Sequence, residues 1–501
     1  NEIKPLVPEI DKFNFTFGQA DSDNLFASML ESLNQDVLSF LLRAVLNVRE
    51  SAPVRPSQPT QTDMSRMQTR RDLSTNGEQQ ARGIMMLCAL TGNIGIAGGS
   101  AGGNASMYHE HEGISLFHDM AENPYPGKIP VFLWTRAIEK WQEMTPLKDR
   151  LKGVSKLSSG IKMLFNLASD ILINQHSDIN DTIRILKDTS LCEFIVCSDI
   201  FMTPSARYAD LILPATSVFE SDNMVNPWAG GNYVLKNNQV IAPLFECRNE
   251  FDWIVELSKR LGLYEAFTEG KETAGEWIRD SYEVLRTKEE ELPDYDTFSL
   301  MGGYQYKKPY NCIAFEEEIK DPVNHPFGTP SGKIEIFSKA LYDLSKASGD
   351  KEILAIPGYL PGEDSIGDQR MKDYPLLLVG WHTRRRCHSV HDNNPWEEEV
   401  DRPLLWIHTE DAEKRGIVSG SQVEVFNDHG RVRIEAFVTE RIMKGVIAMA
   451  QGAWYSPDRK KVDRRGSINV LTNAGHPTPI AKGNPQHTNL AQVTLVSNED
   501  V

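Results

Sequence analysis

The sequence predicts an α/β protein in which a region with a parallel sheet precedes a C-terminal six-stranded β-barrel. Two short apolar runs, Glu193–Cys197 and Leu211–Leu213, end abruptly in polar turns, which is typical of strands buried in a parallel sheet. The helical pattern of Asp181–Leu186 leads into the first run and completes a β-α-β unit. From Tyr374 onward the chain is rich in short strands separated by turns, and this pattern predicts a closed barrel.

Residues 1–75 differ in composition from the rest of the chain. Within Asp21–Arg49, apolar residues recur at three- and four-residue spacing, which predicts an amphipathic helix. Ser51–Thr62 contains three prolines among Ser, Gln and Thr residues, a composition typical of a linker. We therefore treat 1–75 as a helical segment and Pro-rich linker of unclear origin that precedes the main body.

Composition and charge argue against several classes of function. The net charge of −17 disfavours a nucleic-acid partner, which would need a basic face. No apolar run approaches the roughly 18 residues that span a bilayer, and the first residues lack the basic start and apolar core of a signal peptide. We expect no direct membrane insertion, and a cytoplasmic location is compatible with this. The six cysteines form no C-x-x-C pair, which predicts no zinc or iron–sulfur motif in this chain.

From Asn76 the pattern becomes that of a folded domain. A helical segment leads into a loop with six glycines between Gly92 and Gly103, and such a loop can bind phosphate through its backbone N–H groups. The loop lacks both the Rossmann and the P-loop spacing, so a flexible surface loop is the alternative. The alternating His and Glu residues of His109–Glu112 would need further ligands to hold a metal, and a structural role is favoured.

The remaining elements before the barrel follow from shorter patterns. They are strands at Ile129–Trp134, Ile161–Ala168 and Ile171–Ile173, helices at Thr135–Met144 and Glu250–Leu261, and a hairpin at Asn232–Pro243. Gly358–Lys372 is rich in Gly, Pro and Asp and marks a boundary. The sequence therefore predicts an α/β domain over 76–365 and a barrel domain over 370–501.

Polar side chains follow the two apolar runs of the predicted parallel sheet. Ser198 and Asp199 come after the first run, and Thr216 and Glu220 after the second. Ligands of open α/β sheets bind just past the carboxyl ends of such strands, and a carboxylate can accept from two N–H groups of a purine. A buried strand followed by an ordinary polar loop explains the same pattern, so the residues alone leave both interpretations open.

The barrel region combines regular strands with unusually polar loops. The predicted strands are Pro375–Trp381, Leu404–His408, Gln422–Phe426, Arg431–Val438, Val446–Ala450 and Leu490–Val496. The polar loops span 381–389, 452–472 and 482–489. Arg384, Arg385 and Arg386 directly follow the first strand and can bind an anion bidentately, whereas a solvated surface is the alternative for such a triplet.

Several motifs agree on one family. In order, the chain contains TGNIGIAGG, LINQHSDIN, SDIFMTPSARYADLILPATSVFE, TPSGKIEI, WHT, GAWYSPD, NVLT and GNPQHTNL. Together they closely resemble the catalytic subunits of the molybdopterin oxidoreductases, in particular those of the anaerobic dimethyl sulfoxide reductase type, from about Asn76 to Val496. The resemblance implies a molybdenum bis-molybdopterin guanine dinucleotide cofactor, reduction of S-oxides or N-oxides, and a barrel of the double-psi type.

The resemblance also implies which residues contact the cofactor. From the region before the barrel these are Asn104, Asn174, Ser198, Asp199 and Asp252. From the barrel and its loops they are Trp381, His382, Thr383, Arg384, Trp454, Asn469, Asn484 and His487. These residue types suit the cofactor, because carboxylates accept from the guanine edge and arginines bind phosphate.

The sequence departs from the family pattern in one respect. In the family, a Cys motif for a [4Fe–4S] cluster and the Ser, Cys or selenocysteine ligand of molybdenum precede the TGNIG segment, and no cysteine occurs before Cys88 here. The sequence thus predicts no iron–sulfur cluster in this chain and assigns neither a metal ligand nor a catalytic residue. An incomplete catalytic subunit is the resulting interpretation.

The expected partners follow from the same resemblance. They are a small-molecule oxide substrate, an iron–sulfur electron-transfer subunit and a membrane anchor subunit, in a family that is periplasmic or membrane-associated. Two alternatives remain open on the residues alone. One is a cofactor-binding fragment without catalysis, and the other is a family member with another acceptor, such as selenate.

Overall fold

The structure is a computed structural model that describes residues 76–99, 125–226, 233–307 and 313–497. The predictions for residues 1–75, His109–Glu112 and Asn104 lie outside the described residues. Up to residue 226 the elements are α1 (Gly77–Leu90), α2 (Trp134–Glu139), α3 (Pro146–Asp149), β1 (Met163–Leu167), α4 (Ile179–Lys187), β2 (Phe194–Asp199), β3 (Leu211–Pro214) and β4 (Asn223–Val225).

The remaining elements continue the numbering in chain order. Before the barrel they are β5 (Tyr233–Asn237), α5 (Glu250–Leu261), α6 (Tyr264–Thr268), α7 (Ala274–Lys288), α8 (Tyr295–Met301), β6 (Gly303–Gln305), α9 (Glu316–Lys320) and α10 (Lys339–Ser348). From residue 376 they are β7 (Leu376–Trp381), α11 (Pro395–Val400), β8 (Leu404–Ile407), α12 (Thr409–Glu413), β9 (Gln422–Phe426), β10 (Arg431–Val438), β11 (Val446–Ala450) and β12 (Asn489–Leu495).

The predicted parallel sheet is confirmed. Strands β1, β2 and β3 lie side by side in that order, and both pairs are parallel. Helix α4 connects β1 to β2, and Asp178 caps its first turn by accepting from the backbone N–H of Asp181. The inward side of the sheet packs through Ile195 into the main hydrophobic core. The β-α-β unit thus forms as its alternation of apolar runs and helical spacing predicts.

Two of the predicted strands are helical turns instead. In place of a strand at Ile129–Trp134, the chain forms a 3-10 turn at Val131–Leu133 that continues into α2. Leu133 and Ala137 lie four residues apart and pack together in a small core, which is a helical contact. Ile171–Gln175 is a single π-helical turn. In both cases a short apolar run did not distinguish strand from helix, because such a run is too short to show a period.

The predicted hairpin at Asn232–Pro243 is also wrong. Strand β5 pairs with β4 on one side and with β6 on the other, in an antiparallel sheet, and no strand forms between Asn237 and Pro243. The backbone N–H of Gln239 donates to the Asp222 side chain, and the backbone N–H of Val240 donates to the carbonyl of Phe219. The segment therefore runs along the 218–222 loop, since that loop offers the acceptors that a returning strand would have offered.

The six-stranded barrel is confirmed at every strand. The order around it is β10, β8, β11, β7, β12 and β9, and the pairing of β9 with β10 closes it. Two pairs are parallel, β10 with β8 and β11 with β7, and the others are antiparallel. The turn at 427–430 joins β9 to β10, with the Asn427 N–H donating to the Gly430 carbonyl. Closure and mixed pairing agree with the double-psi type that the resemblance implies.

One hydrophobic core extends from the parallel sheet into the barrel. It joins Ile173 and Ile195 to barrel residues such as Leu378, Ile407 and Val425. The two regions therefore pack directly on each other, and the loops between them face a shared boundary. The domain limits at 365 and 370 stay a prediction.

Candidate functional site

The polar loops of the barrel begin at the carboxyl ends of two adjacent parallel strands. Trp381 ends β7 and pairs with Ala450 at the end of β11. The loop that carries His382, Thr383 and Arg384 therefore starts beside the loop that carries Gln451 and Trp454. Parallel pairing places both loops at the same edge, and this edge is where the family resemblance locates half of its cofactor contacts.

A buried carboxylate connects these loops. The Asp392 side chain has no exposed surface and lies between three guanidinium groups. Arg385 Nη2 donates to its Oδ1 at 3.2 Å, Arg386 Nη1 donates to the same oxygen, and Arg465 Nε donates to Oδ2 at 2.5 Å. The Trp454 backbone N–H donates to Oδ2 at 2.8 Å. Asp392 thus fixes the loops after β7 and β11 with respect to each other.

The arginine triplet therefore has two different environments. Arg384 is exposed, whereas Arg385 and Arg386 keep only 5% and 6% of their surface. Burial lowers the pKa of the Arg386 guanidinium to about 10, although the Asp392 carboxylate opposes this change. The solvated-surface interpretation fits Arg384 alone. For the other two, the nearest anion is the protein's own Asp392.

The same locus contains buried polar atoms that no described residue satisfies. They are Nε and Nη1 of Arg385, Nη2 of Arg386 and Oε1 of Gln451. Nε1 of Trp381 is also buried without a partner in the described chain, but the Trp381 ring meets Trp406 of β8. Two buried arginines and the partly buried Arg465 also face one buried carboxylate, with Glu398 as the only further anion paired to the group among the described residues. Buried donors and buried positive charge are costly unless a partner is present. The site therefore suits an anionic ligand that also carries hydrogen-bonding groups.

Two histidines and a glycine lie where the loops after β7 and β11 meet. Gln451 Nε2 lies 2.7 Å from His382 Nε2, and the rings of His382 and His388 meet edge to face at 5.0 Å. Gly452 has a φ of +86°, and a Cβ there would come within 1.9 Å of the His388 carbonyl oxygen. Only glycine allows the two loops to approach this closely. Thr383 Oγ1 accepts from the Arg385 backbone N–H at 3.1 Å and so helps to shape the loop.

The predicted asparagines join the α/β region to the barrel. Asn174 Nδ2 donates to the Ala453 carbonyl at 3.0 Å, and its Oδ1 accepts from the Tyr455 N–H at 3.2 Å. Asn469 Nδ2 donates to the Asn174 carbonyl at 2.6 Å, and Asn484 Nδ2 donates to the Gln175 carbonyl at 3.0 Å. These amide groups are used within the protein. They hold the π turn of 171–175 against the barrel loops.

His487 packs against strand β7. Its Nδ1 accepts from the Gly380 backbone N–H at 3.2 Å, and a Cβ at Gly380 would approach this ring to 2.9 Å. The close approach explains a glycine within β7, one residue before Trp381. His487 therefore supports the strand from which the first polar loop begins.

The second group of predicted residues lies at the carboxyl end of the parallel sheet. Ser198 is buried, and its Oγ donates to Glu250 Oε1 at 3.2 Å. Asp199 Oδ1 accepts from the Phe201 N–H at 3.2 Å, and partial burial raises its pKa. Asp252 is exposed on the first turn of α5. The structure thus separates these three residues from the barrel loops in the chain and in their contacts.

Asp170, which sequence reasoning missed, lies between the two groups. Its Oδ1 accepts from the backbone N–H and the hydroxyl of Ser205 at 2.9 and 2.7 Å, while its Oδ2 is buried without a partner in the described chain. Burial raises the Asp170 pKa to about 6, and the carboxylates of Asp199 and Asp392 add to the rise. The sheet end and the barrel cluster are therefore within electrostatic range of each other.

Asp392 and Gln451 were also missed. The only available signal for Asp392 was a single acid shortly after three arginines in a loop. Gln451 directly follows β11, and a strand-end position was the signal that singled out Asp199. In the described part of the glycine-rich loop, 92–99, one glycine has a packing role. A Cβ at Gly95 would meet Ile319 at 2.4 Å, so this glycine serves protein packing.

Known proteins match both regions of the chain. Residues 65–260 match the family model described as molybdopterin oxidoreductase, and residues 376–490 match the molydopterin dinucleotide binding domain. The dimethyl sulfoxide reductase of Escherichia coli (strain K12) is 46% identical over 431 residues, which are 84% of this chain and 52% of that protein. The chain belongs to the molybdopterin oxidoreductase family.

Other members of the family and one solved structure agree. The dimethyl sulfoxide reductase of Haemophilus influenzae is 42% identical over 84% of this chain and 52% of its own length. Acetylene hydratase from Pelobacter acetylenicus has a TM-score of 0.50 at 20% identity, over 74% of this chain and 51% of that chain, and shows likeness of fold. The chain thus spans about half the length of the curated family members it matches.

The described residues lack two further features. None of their helices is long and apolar enough to cross a membrane. They also contain no group of three or more His, Cys, Asp or Glu side chains placed to hold a metal ion.

Proposed function

We propose that the chain binds a molybdenum bis-molybdopterin guanine dinucleotide and acts as part of an oxidoreductase of the S-oxide and N-oxide reductase type. The observation that carries the proposal is the set of buried, unsatisfied polar atoms on Arg385, Arg386 and Gln451. They lie at one edge of the region that matches a dinucleotide-binding domain. An anionic dinucleotide supplies the acceptors and the negative charge that these groups lack.

The residues fit separate parts of such a ligand. The free N–H groups of Arg385 and Arg386, with exposed Arg384 nearby, suit phosphate oxygens. Gln451 Oε1 offers one acceptor to a ring system. At the sheet end, Asp199 and Asp170 offer carboxylate oxygens to the N–H edge of guanine. When bound, the cofactor supplies the metal at which an oxide gives up its oxygen.

The protein's own contribution is orientation and a dry environment. Asp392 holds the loops after β7 and β11, so the phosphate-binding groups are preorganised. The boundary between sheet and barrel is closed by hydrogen bonds from the amides of Asn174, Asn469 and Asn484, which exclude water there. The contact between Gln451 Nε2 and His382 fixes the amide, so that Oε1 faces the site.

Electron supply requires further polypeptides in this proposal. The family resemblance and the half-length match support an iron–sulfur electron-transfer subunit and a membrane anchor subunit as partners, with a small S-oxide or N-oxide as substrate. One observation favours a second candidate, a cofactor-binding module without catalysis, since the chain matches only 52% of the Escherichia coli relative. Another acceptor, such as selenate, stays open because no described residue selects the oxide.

Molybdenum and guanine content of the purified chain test the proposal. The protein would be produced anaerobically in a host that makes the cofactor, and both contents are expected near one cofactor per chain. Arg386→Gln should lower both by at least tenfold, because it removes a buried phosphate donor, while Arg402→Gln on the barrel surface should not. Absence of molybdenum and guanine from the unaltered chain would refute the proposal.

Activity separates the two candidates. With cofactor bound, oxidation of a reduced viologen dye by dimethyl sulfoxide, trimethylamine N-oxide or selenate would show catalysis by this chain and rank its acceptors. We expect no turnover by the isolated chain, because its cysteines offer no four-ligand set for a cluster and no ligand for molybdenum is assigned. Full cofactor content without turnover would favour the binding module.

A further inference from the structure

A cavity lies between helix α4 and the barrel loop that follows β11. Its volume is about 640 Å³, which is typical of sites for small molecules. On the helix side the lining is one stripe of α4, with Asn180, Ile183, Arg184 and Lys187 at three- and four-residue spacing. Tyr208 and residues of the 455–461 loop line it as well, and we call this space the α4 cavity.

The α4 cavity is separate from the polar locus around Asp392. None of the described residues that line it is among the predicted cofactor contacts or carries a buried unsatisfied polar atom. Tyr455 lies between the two places, since its backbone N–H donates to Asn174 Oδ1 and its hydroxyl donates to Asn180 Oδ1 at 3.2 Å. A ligand of the α4 cavity therefore needs none of the groups assigned to the dinucleotide.

The two acidic residues of the α4 cavity already have donors in the protein. Asp188 Oδ1 accepts from the backbone N–H of Ser190 at 3.0 Å and from its hydroxyl at 2.5 Å. Asp458 Oδ2 accepts from Nε and Nη2 of Arg464 at 2.9 and 2.7 Å, and its Oδ1 accepts from two backbone N–H groups of the same loop. Both carboxylates are therefore engaged by groups other than the lysines of the cavity.

The two lysines of the α4 cavity have no carboxylate partner in the part of the chain that the structure describes. Lys187 Nζ lies 5.4 Å from the centre of the Tyr208 ring, a cation–π contact that leaves its N–H groups available. Lys461 has a φ of +62°, which is uncommon for a residue with a Cβ, and its backbone N–H donates to the Asp458 carbonyl at 3.0 Å. The cavity thus presents two unpaired positive charges in a chain whose net charge is −17.

Much of the remaining lining is aromatic or apolar. The rings of Tyr208 and Tyr455 and the side chains of Ile183 and Pro457 supply flat and apolar surface. Burial raises the pKa of the Tyr208 hydroxyl, so it stays protonated at neutral pH and can donate to an oxyanion. Ammonium groups beside ring surfaces suit an anionic group on an aromatic body. A phosphate monoester fits this set, because it carries about two negative charges at neutral pH and three acceptor oxygens.

We propose that the α4 cavity is a binding site for an aromatic phosphate monoester. The phosphate oxygens accept from Lys187, Lys461 and the Tyr208 hydroxyl, and the aromatic body packs on the apolar lining. Because α4 belongs to the α/β region and the 455–461 loop belongs to the barrel, the bound ligand bridges the two regions. The proposal goes beyond cofactor binding and does not depend on it.

Calorimetric titration of the full chain with phenyl phosphate tests the proposal. Inorganic phosphate supplies the anion without the ring, and phenol supplies the ring without the anion, so each is expected to bind at least tenfold more weakly. Because the ligand bridges two regions of the folded chain, phenyl phosphate should also raise the melting temperature. Arg386→Gln, which alters the cofactor locus, should leave the affinity for phenyl phosphate unchanged. Failure of cofactor binding and failure of this site are therefore separate outcomes.

Variants of the lining locate the site. The double variant Lys187→Gln, Lys461→Gln should weaken phenyl phosphate binding at least tenfold, because it removes both unpaired charges. The matched control is Lys414→Gln, Lys444→Gln, which makes the same change of charge at lysines paired with carboxylates on the barrel and should not weaken binding. Tyr208→Leu removes an aromatic surface, so it should weaken the binding of phenyl phosphate more than that of inorganic phosphate.

Four results would overturn the proposal. They are the absence of phenyl phosphate binding by the unaltered chain, unchanged binding by the double lysine variant, and inorganic phosphate binding as tight as that of phenyl phosphate. The fourth is loss of phenyl phosphate binding in Arg386→Gln, which would place the ligand at the cofactor locus. Unchanged melting temperatures of the ligand-free variants would exclude misfolding as a cause of lost binding.

Discussion

The barrel and the three-stranded sheet differ in how their strands are hydrogen-bonded and how their side chains are buried. Every barrel strand has two neighbours, and inward residues such as Leu378, Leu405 and Val423 have no exposed surface. In the sheet, β1 has one neighbour within the described chain, and three of its five side chains are more than 40% exposed. A closed barrel thus completes its own hydrogen bonds and core, whereas an open sheet depends on what packs against it.

The difference extends to the polar residues of the site. The barrel cluster around Asp392 is held by contacts among the barrel's own loops. At the sheet end, Asp170 keeps a buried oxygen without a partner, and Asp199 is only half-buried. We expect substitutions in the barrel to affect stability strongly. Substitutions at the sheet should act mainly on binding, on pH dependence or on assembly.

Asp392→Ala is the most severe test of the barrel. It leaves Arg385 and Arg386 buried without their carboxylate, and breaking a buried pair in this way costs about 3–5 kcal/mol. Urea unfolding should show a lower free energy of unfolding by that amount. The control is Glu435→Ala, which removes the partner of the exposed Arg402 and should cost less than about 1 kcal/mol. Equal effects of the two variants would show that the cluster does not stabilise the barrel.

A pair of leucines compares barrel and sheet directly. Leu378→Ala removes a side chain with no exposed surface from β7 and should lower the free energy of unfolding by about 2–5 kcal/mol. Leu167→Ala removes one that is 41% exposed on β1 and should cost less than about 1.5 kcal/mol in the chain alone. If the sheet variant proved as costly, the exposed side of β1 would already be covered, and the contrast between the two regions would fail.

Asp170 gives the sheet end a pH dependence. Its pKa is raised from 3.8 to about 6, so it favours the folded state when protonated, and this stabilisation is lost as pH rises from about 4 through 6. The loss amounts to about 2–3 kcal/mol for the cofactor-free chain. Asp170→Asn keeps an acceptor for Ser205 and should flatten the dependence of stability on pH between 4 and 7. An unchanged pH profile in that variant would show that Asp170 titrates normally.

Asp199→Ala should act on the ligand more than on the fold. A hydrogen bond to a charged group contributes about 1.5–3 kcal/mol, so the variant should retain less guanine nucleotide after purification. Asp252→Ala removes an exposed carboxylate from the same set of predicted contacts. Comparing guanine retention in the two variants shows which of the two positions contacts the ligand. Unchanged guanine content in the Asp199 variant would remove this residue from the binding site.

Much of the fold could be predicted from the sequence because it depends on local periodicity. Helix α5 was predicted at Glu250–Leu261 and forms over those residues, and the six barrel strands lie within a residue or two of the predicted ones. Alternating or helical burial repeats along the chain and leaves a pattern that can be counted. The π turn at Ile171–Gln175 and the turn at Val131–Leu133 escaped because short apolar runs carry no period.

The site itself was decided by tertiary structure. The sequence, through its motifs, determined the family and the two polar loops after β7 and β11. It could not determine that Arg385 and Arg386 pair with Asp392, that Asn174 binds a loop 279 residues further along the chain, or that Asp170 keeps a buried free oxygen. Periodicity records whether a residue is buried, but a polar group's partner depends on which distant backbone and charges the fold brings within about 3 Å of it.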